Sequence, residues 1–87
     1  MIGAHFRRQR IKRYKRVLAT LDRYPVNLLA REIADKSHIS RGSIYLLLSQ
    51  MEEAKLLRFC TVEVYSGRAR KLYIMTNRGR ALLAAPI

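Results

Sequence analysis

The stretch Ile39-Ser40-Arg41-Gly42-Ser43-Ile44-Tyr45 decides how the chain is read. Ser40 carries a hydroxyl that can accept one of the free backbone N–H groups at a helix start, so a helix is expected to open there. Ile44, Leu47, Leu48 and Met51 recur at helical spacing and define one apolar face. Arg41, Ser43, Tyr45, Ser49 and Gln50 lie off the centre of that face. A helix with a buried stripe and a polar flank at its N-terminal end suits insertion into a DNA groove.

The residues before this stretch read as its supporting helix. Asn27 can cap a helix from Leu28 to about Ser37, with Leu29, Ala30, Ile33 and Ala34 inward and Glu32 and Lys36 as an i,i+4 pair outside. Ala34 is the small residue a close helix crossing needs, and Ile33, Ile39, Ile44 and Leu47 fill the apolar positions around the turn. Lys36-Ser37-His38 is then a tight connection. His38 stands where Gly is commonest, and His tolerates the left-handed conformation better than most side chains. Pro25-Val26-Asn27 reads as a turn or a very short strand. Before it, Ile11, Tyr14, Val17, Leu18 and Leu21 mark a helix from Arg7 to Tyr24, ended by Pro25. Residues 1–6 have no periodicity.

After it, the central helix runs to about Lys55 and Leu56-Leu57 lead into a strand, Arg58 to Tyr65. Ser66-Gly67-Arg68-Ala69-Arg70 is a turn, and Lys71 to Met75 is the returning strand. Thr76 can cap a last helix, about Asn77 to Ala85, closed by Pro86. The fold class is α+β and mostly α. Residues 1–87 form a single winged helix-turn-helix domain with a three-helix core, a two-stranded β wing and a short C-terminal helix.

Charge is the unusual quantity of this 87-residue chain: 18 Lys and Arg stand against 6 Asp and Glu, a formal net charge of +12. Self-repulsion at that level is relieved by an anionic partner, with nucleic acid first and an acidic membrane surface second. Arg7, Arg8, Arg10, Lys12, Arg13, Lys15 and Arg16 crowd the first helix, and no acid precedes Asp22. This Arg-rich, acid-poor start is similar to an organelle presequence, but its apolar stripe assigns it to the fold. The apolar content of 49% supplies a real core. A single cysteine, Cys60, excludes an internal disulfide and any CxxC pair, and is expected to be a small buried hydrophobe. The longest apolar runs, Ile44 to Leu48 and Ala81 to Ala85, fall far short of the roughly 20 residues of a membrane span. His5 and His38 have no acid or Cys at ligand spacing, and no nucleophile, base and orienting acid are assembled. Neither an enzyme nor a cofactor or metal is expected, and the location is expected to be cytoplasmic, on the nucleoid when DNA-bound.

Ser40-Arg41-Gly42-Ser43-Ile44-Tyr45, Leu48, Met51-Glu52-Glu53 and Leu56-Leu57 resemble the recognition helix of PadR-type winged-helix repressors. Gly67-Arg68-Ala69-Arg70-Lys71-Leu72-Tyr73 is similar to that family's wing, and Met75-Thr76-Asn77-Arg78-Gly79-Arg80-Ala81-Leu82 to the segment after it. Lys55 stands where the family ends its helix with Gly, so the exit into the strand can differ. The sequence also stops at Ile87, before the long helix through which PadR-type proteins usually dimerise and sense ligands. Dimerisation is then expected through the first helix, the last one or a strand edge.

The resemblance implies, and the residue types permit, a division of labour on double-stranded DNA. Arg41, Ser43, Tyr45, Ser49 and Gln50 would reach bases and flanking phosphates, since Arg forks onto guanine and Gln pairs with adenine. Gly42 would allow close backbone approach. Arg68, Arg70 and Lys71, in the wing at residues 66–71, would grip the adjacent backbone or minor groove. Arg7, Arg8, Arg10, Lys12 and Arg13, with the rest of the run to Arg16, would add phosphate contacts without sequence information. Leu46 is read as a surface leucine rather than a thymine-methyl contact. The leading expectation is a sequence-specific DNA-binding regulator, a repressor acting as a homodimer. Structured RNA is the alternative partner, and a protein-interaction adaptor is the third reading.

Overall fold

A computed structural model of the chain describes residues 2–24, 27–63 and 67–86. The expected turn residues Pro25 and Val26, the strand end at Val64 and Tyr65, and the turn residue Ser66 lie outside these. The elements run α1 (Ile2–Arg23), β1 (Leu28–Leu29), α2 (Ala30–Ser37), α3 (Arg41–Glu53), β2 (Leu57–Glu63), β3 (Ala69–Met75) and α4 (Asn77–Ala84). Helix α1 begins well before Arg7, the first residue the apolar pattern reaches. Once a helix is nucleated by packing, each further residue adds a hydrogen bond at little cost, so the helix extends through residues that the apolar pattern does not reach. Tyr14, Val17 and Leu18 are buried where α1 meets the body.

Two expectations change between α1 and α3. Leu28 and Leu29 are a strand, not the first turn of a helix: they pair antiparallel with Tyr73 and Leu72. The expected two-stranded wing, β2–β3, is thus joined by β1 into a three-stranded sheet in the order β1-β3-β2. Leu29, not Asn27, occupies the N-cap of α2, and the Glu32 carboxylate accepts the Leu29 backbone N–H at 2.9 Å. Glu32 thus serves the helix start instead of pairing with Lys36, whose ammonium lies 4.4 Å from the Tyr24 ring centroid.

The helix-turn-helix closes as its spacing requires. His38 adopts the left-handed conformation (φ 59°, ψ 39°), and the Ile39 N–H donates to the Ala34 carbonyl at 3.0 Å. Ser40 caps α3, its Oγ accepting the Ser43 N–H. At the other end Lys55 is left-handed too (φ 64°). The Leu56 N–H reaches the Met51 carbonyl and the Lys55 N–H reaches that of Glu52, which is the Schellman closure. The exit is thus the one a glycine would make, with a lysine in its place.

Ile33, Ile44, Leu48, Met51, Leu18, Leu28 and Val17 form the fully buried centre. Helix α4 docks through Gly79, where a Cβ would collide with the Leu56 carbonyl oxygen and stand 3.1 Å from Leu18 Cδ2 and Met75 Cγ. Thr76 caps α4 through the Gly79 N–H and donates its own hydroxyl to the Lys55 carbonyl at 2.6 Å, tying α4 to the end of α3. The register Leu57↔Met75, Phe59↔Tyr73 and Cys60↔Leu72 fixes the sheet faces. Leu57 and Tyr73 point into the core, so Cys60 points away from it and is exposed, not buried as expected.

Candidate nucleic-acid interface

Helix α3 turns Ile44, Leu47, Leu48 and Met51 into the core and leaves its other side open. Arg41, Gly42, Ser43, Tyr45, Leu46 and Ser49 are exposed and Gln50 is half-buried. Ser43 keeps a donor free, because its Oγ accepts from the Ser40 hydroxyl at 2.9 Å. Gly42 faces open space, with nothing within 4 Å of where a Cβ would stand. Leu46, 67% exposed, sits opposite the buried stripe and hence at the centre of the outward face. It is a surface leucine, as expected.

Arg41 is not a loose cation. Its Nε donates to Asp35 Oδ1 at 3.3 Å and its Nη2 to Oδ2 at 3.0 Å, so the guanidinium forks the carboxylate from the side. The hydrogen bond from Arg41 holds the Asp35 carboxyl below the usual carboxylate range, aided by the nearby positive charges of Arg41, Arg31 and Lys36. Asp35, at the end of α2, escaped the sequence reading. Nothing in the local pattern shows that the tight turn brings it beside the first residue of α3.

The wing cations divide. Arg68 and Arg70 are exposed, with Arg70 opposite Val62 on the outer sheet face. Lys71 points to the inner face instead, 3.6 Å from Glu52 Oε1 and 4.0 Å from the Phe59 ring centroid. It links the wing to the end of α3. Beside it, burial and the charge of Glu52 push the Tyr73 phenol up to about 12.

The basic run of α1 divides in the same way. Arg16 donates to the Ser37 carbonyl at 2.6 Å and the His38 carbonyl at 3.1 Å, and Lys15 donates to the Ala85 carbonyl. Two neighbouring cations therefore meet the carbonyl ends of α2 and α4, where the helix dipole is negative. Arg16 thereby holds the turn before α3. Arg7, Arg8, Arg10, Lys12 and Arg13 are exposed. Lys12 and Arg13, one turn before Arg16, lie on its side of the helix. Acids offer little opposition: Asp22 pairs with Arg80 at 3.2 Å, while Asp35 and Glu52 are held by Arg41 and Lys71. Among the described residues no group of His, Cys, Asp and Glu is placed to hold a metal ion, and no helix is long and apolar enough to cross a membrane.

A capped helix presented by a helix-turn-helix, followed by a β-hairpin bearing arginines, defines a winged helix-turn-helix protein. The chain belongs to the PadR-like family of transcriptional regulators, whose family model matches residues 17–85. It is similar to the crystal structure of a PadR family transcription regulator from a hypervirulent Clostridium difficile strain, at 27% identity and a TM-score of 0.69, over 82% of this chain and 78% of that one. The fold is also that of a PadR-like transcription factor from Bacteroides fragilis, at 22% identity and a TM-score of 0.77, over 93% and 82% of the two chains. No curated protein sequence matches.

Proposed function

We propose that this protein is a sequence-specific double-stranded-DNA-binding transcriptional repressor that acts as a dimer. One observation carries the reading: the open face of α3 is polar around Leu46 and begins at a capped helix N-terminus, in a chain whose α1 also carries exposed cations. Helix α3 would lie in the major groove, where Arg41, Ser43, Tyr45, Ser49 and Gln50 meet base edges and flanking phosphates. The free N–H groups at its start favour an adjacent phosphate. Arg68 and Arg70 would follow the neighbouring backbone or minor groove, whereas Lys71 supports the wing from inside. Arg7, Arg8, Arg10, Lys12 and Arg13 would neutralise phosphates outside the groove. One helix in one groove discriminates weakly, so two copies on half-sites about one helical turn apart are expected. Occupying such a site within a promoter would block transcription from it.

Selection from a random duplex pool tests this. A two-fold repeat should emerge, and affinity for it should fall with a log–log salt slope of about −5 if roughly six phosphates are neutralised. Preference for structured RNA over the selected duplex at fixed salt would instead favour an RNA-binding role. Binding indifferent to both salt and nucleic acid would favour a protein-interaction adaptor.

A further inference from the structure

We infer that Asp35 is a positioning residue for base readout: it aims Arg41 at a guanine and withholds it from phosphate. The inference rests on the DNA-binding reading above. A guanidinium has a side edge, formed by Nε and Nη2, and an end edge, formed by Nη1 and Nη2. Asp35 occupies the side edge, with Nε–Oδ1 at 3.3 Å and Nη2–Oδ2 at 3.0 Å. The end edge keeps two parallel N–H donors, which is the arrangement that forks guanine O6 and N7. Both partners are largely exposed, with side-chain accessibilities of 66% for Arg41 and 58% for Asp35, so the pair stands at the surface where a base edge can approach.

Charge sharpens the assignment. Arg41 is the first residue of α3, next to free backbone N–H groups that attract phosphate. An unpaired arginine there would swing to the backbone and bind every sequence. The Asp35 carboxylate cancels its net charge and repels phosphate, but leaves neutral base acceptors welcome. The turn sets the geometry that makes this work: left-handed His38, anchored by Arg16, fixes the end of α2 against the start of α3. Asp35 therefore trades affinity for discrimination.

The test is duplex selection from a random pool with the wild type, Asp35→Asn, Asp35→Ala and Arg41→Ala, with thermal melting of each. The wild type should enrich a site with one guanine preferred by about tenfold or more, the discrimination one bidentate contact supplies. Both Asp35 variants should melt with the wild type and keep the rest of the site. Preference at that one guanine should drop below about threefold, and the salt slope should steepen by about one as Arg41 takes a phosphate. Arg41→Ala should lose the same guanine without that steepening. If the Asp35 variants select the wild-type site unchanged, the positioning role is overturned and DNA reading stands. If the wild type enriches no sequence, the DNA-reading function itself falls, and this inference with it.

Discussion

The stretch of α1 from Arg7 to Arg13 and the N-terminal end of α3 both present exposed cations, yet they hold their charge differently. On α1, Arg7, Arg8, Arg10, Lys12 and Arg13 are all exposed, with Ile11 between them only half-buried. On α3, Arg41 is forked by Asp35 across a turn pinned by Arg16. A free cation on a long stem follows any phosphate. A cation whose orientation is fixed can tell one base from another. On the proposed reading, the difference separates affinity from sequence information and gives the two tasks to different elements.

Removing the exposed cluster should produce the largest effect. Replacing Arg7, Arg8, Arg10, Lys12 and Arg13 with Gln is expected to weaken binding to every duplex by about 10²- to 10³-fold and to flatten most of the salt slope. Titrations at several salt concentrations check this, and the selected sequence should not change. A selective loss for one site would merge the two regions into one reading surface.

Neighbouring cations of α1 then give a sharper contrast. Arg16→Ala removes two charge-assisted hydrogen bonds to the end of α2 and should cost about 2 kcal/mol of stability in denaturant unfolding. Arg13→Ala, one turn away and exposed, should leave unfolding unchanged within about 0.5 kcal/mol. Equal effects would mean that Arg16 does not anchor the turn.

The junction of wing and α3 responds to alkaline pH. An unfolded tyrosine ionises near pH 10, whereas Tyr73 in the fold is pushed up to about 12 by burial and by Glu52. Since the folded value is the higher one, the stability linked to it is complete below pH 10. It is lost as the pH rises from 10 through about 12, by about 1–2 kcal/mol. The slope should be smaller in Tyr73→Phe, which unfolding at stepped pH would reveal.

The smallest effect concerns the exit of α3. Lys55 holds a left-handed backbone that disfavours side chains, so Lys55→Gly should stabilise the protein by about 1 kcal/mol. A loss of stability would mean that the lysine stem makes compensating contacts.

How much of this was legible in the sequence follows from the range of each interaction. Caps, stripes and turns are local: Ser40, Thr76, the left-handed His38 and the buried face of α3 could all be read from neighbouring residues. The strand Leu28–Leu29 could not, because its pairing with Tyr73 and Leu72 lies far along the chain and two leucines suit a helix equally well. Cys60 was misjudged because a strand's facing depends on register, and an alternating run does not say which parity is inside. Of the interface, residue types on α3 and the wing were legible. The contacts of Arg16, Lys15 and Lys71 with carbonyls and Glu52, and the capture of Arg41 by Asp35, depend on how helices and sheet meet.

The separation of reading from holding is tested most directly by comparing Arg41→Ala with Arg13→Ala across a panel of single-base variants of the selected duplex. Arg41→Ala is expected to flatten the response at one base pair and leave the other positions ranked as before. Arg13→Ala is expected to lower every affinity by the same factor. Unaltered discrimination in Arg41→Ala, or altered discrimination in Arg13→Ala, would contradict the assignment of α3 to the groove.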